Sequence, residues 1–414
     1  RRQRAASLGA EGVVLQRDGH RGQTVLKFSL DDVAYLRSAP GVDALRVIGG
    51  YPLTDTTQIS DIASARKVFG DRTALLVETV LLRRRAAVKL ADTDGWLLTD
   101  EALQQASAAP VAAHRAARLA GRTVHDVTCS IGTELAALRP VAEVLGSDID
   151  PIRLAMAGHN VPGVPLLRAD ALRPVSRDTA VFADPGRRAG GRRRFHPRDY
   201  LPPLDNLLDT YSSRELVVKC SPGVEFEWLR RAGFGGEIEV TSLSGAVREA
   251  CLWSVGLAAA GVSRRASILD PDGLVEQMTD AEPDDCPVAP AGRWIIDPDG
   301  AVVRAGLVRH YAARHGLWQL DPNIAYLSGD DLPPAVRGFA VLEQLPFGER
   351  RLREALAALD CGAAEILVRG IDVDPQVLRP RLRLRGSRQL SVVITRIGAG
   401  AAGRAMAFIC RPSR

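Results

Sequence analysis

The sequence predicts an α/β fold: a parallel sheet covered by helices, between a mainly helical N-terminal region and a small α+β C-terminal domain. Three observations predict it. From Thr123, short continuous apolar runs alternate with helical patterns, as strands buried on both faces require. Before that point, apolar residues recur at three- and four-residue spacing. After about residue 326, one helical pattern is mixed with several alternating strand patterns.

Taken in order, residues 1–120 form the helical region. "DDVAYLRSA" and "EALQQASAAPVAAHRAARLAG" read as helices; Asp100 is placed to cap the second and Gly121 to close it. Residues 121–262 form the sheet domain, read as VHDV, TELAAL, VLGSDI, PIRLAMAGHN, PLLRAD, TAVFADP, a helix near 200–211, and ELVVKC. Residues 263–325 are rich in Pro, Asp and Gly, with DPDG twice, and read as a connecting segment of turns. Residues 326–414 carry the helix ERRLREALAAL and the strands EILVRGI, QLSVVITRI and RAMAFICR. In "RPRLRLRG", Arg379, Arg381, Arg383 and Arg385 alternate, so a strand there would gather them on one face.

The chain has 414 residues, 46% hydrophobic and 25% charged, which describes a globular protein rather than a disordered one. No apolar run reaches membrane-spanning length and no signal-peptide pattern opens the chain. Its six cysteines are scattered without a C-x-x-C pair, so neither a zinc site nor a disulfide framework is expected, and a reducing cytoplasm fits. The net charge of +5 permits a polyanionic partner without demanding one.

Parallel sheets bind ligands beyond the carboxyl ends of their strands. The residues ending successive apolar runs here are Asp126, Asp148, Asp170 and Asp184. A carboxylate at one strand end is ordinary, and four in succession form a pattern. The loop "DVTCSIGTE" between the first strand and its helix holds a single glycine, Gly132. A P-loop needs G-x-x-x-x-G-K-S/T and a dinucleotide loop needs G-x-G-x-x-G, because phosphates must approach the backbone closely. A nucleoside cofactor without phosphates needs only one tight turn and carboxylates for ribose and adenine.

"DVTCSIGTELAAL" resembles the first motif of class I S-adenosylmethionine-dependent methyltransferases, closest to the form D-P-x-C-G-S-G-T. Asp126, Cys129, Gly132 and Thr133 match, while Ser130 replaces a glycine and Ile131 a serine. "VLGSDIDPIRLAMAGHN" resembles the second motif, "LLRADAL" the third, and "VFADPGRR" stands where the family carries D-P-P-Y or D-P-P-R. Over residues 95–414 the chain resembles the bacterial, actinobacterial-type members that end in a THUMP-like domain, through "VVKCSPGVEFEWL", "SGAVREACLW", "LPFGERRLREAL" and "VVITRIG".

The resemblance implies a Rossmann-like sheet, S-adenosyl-L-methionine as cofactor, no metal, and methylation of a base in RNA, either tRNA or rRNA. Cofactor contacts are expected at Asp126, Thr128, Cys129, Ser130, Gly132, Thr133, Asp148, Ile149, Asp170 and Ala171. Asp148 would hold the ribose hydroxyls and Asp170 the adenine amine. Catalytic roles are expected for Asp184 and Pro185, which can orient an acceptor amine, and for Arg187, which occupies the usual aromatic position. Cys220 is a further catalytic candidate: uracil C5 methylation needs a thiolate at a similar place, and Lys219 could lower its pKa. RNA contacts are expected from Arg188, Arg192, Arg193, Arg194 and Lys219. Two other readings stay open here: a binding protein that keeps the fold without turnover, and a small-molecule methyltransferase.

Overall fold

The structure, a computed structural model, describes residues 16–17, 24–25, 27–186, 188–189, 192–193, 197–334, 336–398 and 403–413. The chain forms two compact units. The first comprises the residues up to Gly236 with Glu249–Leu257 and Pro271–Gly273; the second comprises Glu237–Arg248, Ala258–Asp270 and Leu274–Arg414.

The first unit opens with helices α1 (Leu30–Arg37), α2 (Ala39–Gly49), α3 (Gln58–Phe69) and α4 (Thr73–Lys89). Ser29 and Asp32 form a reciprocal cap at α1, satisfying N–H groups the first turn leaves free. The long helix expected from Glu101 is two helices, α5 (Asp100–Gln105) and α6 (Ala109–Ala117). Pro110, tolerated at the start of a helix but not inside one, sets the break. The cap of α5 is Thr99, whose hydroxyl accepts from Ala102 N, rather than Asp100.

The alternating block follows the expected order: β1 (Thr123–Asp126), α7 (Thr133–Leu138), β2 (Glu143–Asp148), α8 (Pro151–Asn160), β3 (Leu166–Arg168), β4 (Ala180–Ala183), α9 (Leu204–Thr210), β5 (Leu216–Cys220) and α10 (Phe226–Arg231). β1 pairs in parallel with β2 on one side and β4 on the other; β3 extends the sheet beyond β2 and β5 beyond β4. β7 (Ala246–Trp253), whose residues from Glu249 belong to this unit, pairs with β5 antiparallel. Strand order reverses at β1 and β4, so the ligand crevice is expected above Asp126 and Asp184.

The helices α1–α5 do more than precede the sheet. Their core, with Leu36, Ile48, Leu76, Leu82 and Leu97, is continuous with Cys129, Ile131, Leu135, Met156 and Val161. Another core joins Ala116 and Leu119 to Val124, Phe182, Val217 and Trp253. The cofactor-type loop after β1 is therefore packed from behind by the N-terminal helices.

In the second unit, β6 (Glu237–Leu243) pairs in parallel with β8 (Arg264–Asp270), and β9 (Gly273–Thr279) follows. A seven-stranded sheet has the order β11-β12-β10-β13-β16-β15-β14, from β10 (Trp294–Ile296), β11 (Trp318–Gln319), β12 (Leu327–Gly329), β13 (Gly338–Pro346), β14 (Cys361–Arg369), β15 (Arg388–Ile397) and β16 (Arg404–Pro412). Its pairs are antiparallel except β14 with β15. Helices α11 (Gly300–Ala305), α12 (Val308–His315), α13 (Glu349–Ala358) and α14 (Pro375–Arg381) complete it.

Two expectations are corrected here. Residues 263–325 are not a bare connector: one DPDG turns β8 into β9, and Asp299 of the other caps α11. Arg379 and Arg381 lie on α14 rather than on a strand, and Arg383 has a left-handed φ of 51°. Asp374 accepts from Gln376 N at 2.7 Å ahead of Pro375, and this local cap starts a helix that overrides the alternation.

Candidate active site

The carboxyl ends of β1, β2 and β4 open onto a cleft of about 440 Å³. Every strand-end carboxylate singled out in the sequence lines it: Asp126, Asp148, Asp170 and Asp184. Val127, Thr128, Cys129, Ser130, Thr133, Ile149 and Ala171 join them from the loops, and Gly186, Leu201 and Pro202 from beyond β4. Glu101, Ala102, Gln105 and Ala106 enter from α5, which ends at the Pro110 break.

The loop after β1 is built by backbone bonds to these acids. Asp126 Oδ1 accepts from Thr128 N at 3.0 Å, and Thr128 Oγ1 accepts from Asp184 N at 2.7 Å. Ser130 N donates to Asp148 Oδ2, and Asp150 N to Asp148 Oδ1, each at 2.9 Å. Ser130 takes a left-handed φ of 50° and Gly132 one of 90°. A Cβ at Gly132 would stand 3.0 Å from Val161 Cγ2, so conformation and space both favour glycine there. Asp150 caps α8 through Ile152 N and Arg153 N, and Tyr211 donates to the Ala171 carbonyl at 2.7 Å.

Of the two departures from the motif, Ser130 lines the cleft and Ile131 does not. Ile131 is wholly buried among the N-terminal helices, where an apolar side chain belongs. Gly132 does not line the cleft either; it shapes the turn. Cys129 lines it only in part, being buried, and burial pushes its thiol pKa up, which leaves an inert packing residue.

Charge decides what the cleft can hold. Among the described lining residues stand seven acids (Glu101, Asp126, Glu134, Asp148, Asp150, Asp170 and Asp184) against one cation, Arg153, while Glu134 and Asp184 are also paired from behind with Arg115 and Lys219. Arg153 is itself paired with Glu101 at 2.8 Å and Asp150 at 3.7 Å. Such a lining repels phosphates and suits a ligand that is cationic and rich in hydrogen-bond donors. S-adenosylmethionine, with a sulfonium, an ammonium, ribose hydroxyls and an adenine amine, fits this donor set. Burial raises the Asp126 pKa well above the usual range; Glu134, Asp184 and Asp148 add to this, and the Thr128 N–H opposes it. Burial also raises Asp148, against the N–H groups of Asp150 and Ser130.

Beneath the cleft lies a charge network that motif reading did not find. Arg115 of α6 bonds Glu134 of α7 at 2.5 Å and Glu249 of β7 on its other side. Ser107 donates to Glu249 at 2.7 Å and accepts from Arg115 at 3.2 Å. Burial would lower the Arg115 pKa, but Glu134 and Glu249 hold it well above its ordinary value. Glu249 is held below its ordinary value, because Arg115 and Lys219 outweigh its burial. The buried residue types were visible in "AAHRAA", "GTELA" and "AVREACLW", but nothing local links positions so far apart.

Lys219 was expected at an RNA-facing surface, and the structure corrects this. Its side chain is 3% exposed, and its ammonium contacts Asp184 Oδ2 at 2.5 Å and donates to the Gln105 carbonyl at 2.9 Å. Burial lowers its pKa, but Asp184, then Glu249 and Glu134, raise it to a net upward shift. As a residue of β5, a strand buried throughout, it has no route to solvent. Cys220, the neighbouring nucleophile candidate, is fully buried opposite Ala250 of β7 and is not among the cleft-lining residues. Pro185 is buried and is not among the cleft-lining residues. Arg188 and Ala189 form a two-residue antiparallel ladder with Arg193 and Arg192; Arg187 and Arg194 lie outside the described residues.

Comparison with known proteins places these features. Residues 336–412 match a family described as THUMP domain-like, and residues 29–86 match a domain of unknown function. Relatives in two strains of Mycobacterium tuberculosis, each described as an uncharacterized S-adenosylmethionine-dependent methyltransferase, are 67% identical over 360 residues, covering 84% of this chain and all of theirs. The crystal structure of a protein from Porphyromonas gingivalis, described as a methyltransferase, shares the fold with a TM-score of 0.71 at 19% identity, over 94% of this chain and all of that one. The carboxylate-lined cleft at the switch of strand order and this extent of identity agree, and the chain belongs to the S-adenosylmethionine-dependent methyltransferases.

Proposed function

We propose that this methyltransferase acts on an amino group of a base in RNA, either tRNA or rRNA. The observation that carries the reading is Asp184, a cleft carboxylate fixed at its backbone by Thr128 and at one oxygen by Lys219. The RNA part is supported by the THUMP domain-like match and by the arginine run from Arg187 to Arg194.

S-adenosylmethionine supplies a methyl group on a sulfonium, whose departure leaves a neutral thioether. The protein's task is then to align the acceptor, since in-line displacement depends chiefly on orientation. Asp148 would hold the ribose end and Asp170 with Ala171 the adenine end, each on a turn ordered by its own backbone bonds. Asp184 would accept an N–H of the acceptor through the oxygen not committed to Lys219, and so orient the amine for transfer. The proton on the methylated nitrogen passes to water after transfer. Gly186, Leu201 and Pro202 line that end of the cleft. Covalent catalysis by Cys220 is disfavoured by its complete burial.

Methyl-label transfer to total RNA, protein and metabolite pools tests the proposal. Label in RNA is expected; label confined to metabolites or protein sinks it, and no label despite tight cofactor binding supports a binding protein instead. Asp148→Ala is expected to lower cofactor affinity at least tenfold by calorimetry, and unchanged affinity would remove the assignment of that residue.

A further inference from the structure

We infer that Lys219 is a positioning residue for methyl transfer, tying Asp184 to the helix that walls the cofactor. The inference rests on the role proposed for Asp184. Three elements meet at one ammonium: β5 supplies Lys219, the segment after β4 supplies Asp184, and the last turn of α5 supplies the Gln105 carbonyl. Asp184 and Gln105 both line the cleft, whereas Lys219 does not. The ammonium thus acts from behind, on groups that face the ligands.

This arrangement does two things for Asp184. It commits Oδ2, so that only the other oxygen is presented to an acceptor. It also places a cation in contact with a carboxylate that a docked base would desolvate, which fixes the rotamer of that carboxylate from behind. The network below makes Lys219 itself secure. Burial and the like charge of Arg115 oppose the charged form of Lys219, and Asp184, Glu249 and Glu134 outweigh them. A lysine in that state is not a base and carries no proton away from the substrate. The bond to Gln105 links the acceptor side of the cleft to α5, whose Glu101, Ala102 and Ala106 flank the cofactor side.

The test is Lys219→Met, which keeps the length of the side chain and removes its charge. The expected result is cofactor affinity within about threefold of wild type by calorimetry, an unchanged KM for the acceptor, and a saturating rate about 100-fold lower. That split between an unchanged KM and a lowered rate is a change that mere loosening of the fold would not produce. A wild-type rate overturns the inference, and so does loss of cofactor binding in step with the rate. Should the single variant misfold, Lys219→Met is placed on Asp184→Asn, where no lone buried charge is left. Little further loss beyond Asp184→Asn alone is expected, and an undiminished 100-fold loss shows independent action and overturns the inference. Wild-type label found in protein or metabolites instead of RNA ends the RNA reading alone, because the same experiment then runs with the labelled pool as acceptor.

Discussion

At the scale of single residues, His125 stands in the middle of β1 with Nδ1 2.8 Å from Ser176 Oγ and Nε2 2.9 Å from Ser147 Oγ. Burial, reinforced by Arg214, depresses its pKa to about 4, so the folded protein holds it neutral. The unfolded chain protonates it below about pH 6.5, which favours unfolding. Its stabilising contribution is therefore complete above that pH and is lost as pH falls toward 4, by up to about 3 kcal/mol. Urea unfolding of wild type and His125→Gln at about pH 7 and pH 5 should show the variant losing less across the interval. Ser130 offers a second measurement. Its left-handed backbone strains a residue with a Cβ, so Ser130→Gly should stabilise the fold by about 1 kcal/mol in thermal unfolding, with cofactor affinity kept. Legibility at this scale was uneven. The four strand-end aspartates could be read because a strand end is a local feature. The assignment of Lys219 to an RNA surface failed because its burial depends on α5 and on the segment after β4, both distant in sequence.

Elements were read from periodicity, and failures fell where one residue outweighed the pattern. Pro110 split a continuous helical stripe, and Asp374 with Pro375 turned an alternating arginine segment into α14. The split matters, because it leaves Ser107 between α5 and α6, within reach of Glu249. The N-terminal helices are joined to the cofactor loop by a specific device. Asn160, at the end of α8, accepts from Leu97 N and donates to the carbonyls of Leu97 and Ile131, all within 2.9 Å. Asn160→Ala leaves those buried groups unpaired and should cost about 3 kcal/mol in denaturant unfolding. It should also weaken cofactor binding, since Ile131 belongs to the loop that shapes the cleft.

For the whole molecule, the sequence disclosed the parallel block and the C-terminal α+β region but misplaced what lies between. The segment read as a connector carries strands and helices of the second unit, because its Pro and Asp residues serve turns and caps inside an ordered fold. If RNA is the partner, binding to the full chain should weaken linearly in log Kd with log salt, and replacing Arg188, Arg192 and Arg193 by Gln should flatten that slope. A slope already near zero in the wild type would speak against phosphate contacts. The antiparallel strand β7 carries a consequence for how the protein is made. Glu249, the counter-charge for the cations under the cleft, is contributed by this late strand, long after Asp126, Asp148, Asp170 and Asp184 have left the ribosome. A nascent chain that has exposed all four acids still holds Arg115 without one of its two carboxylates. Completion of the sheet edge and of the ion pairs under the cleft therefore awaits translation beyond Trp253.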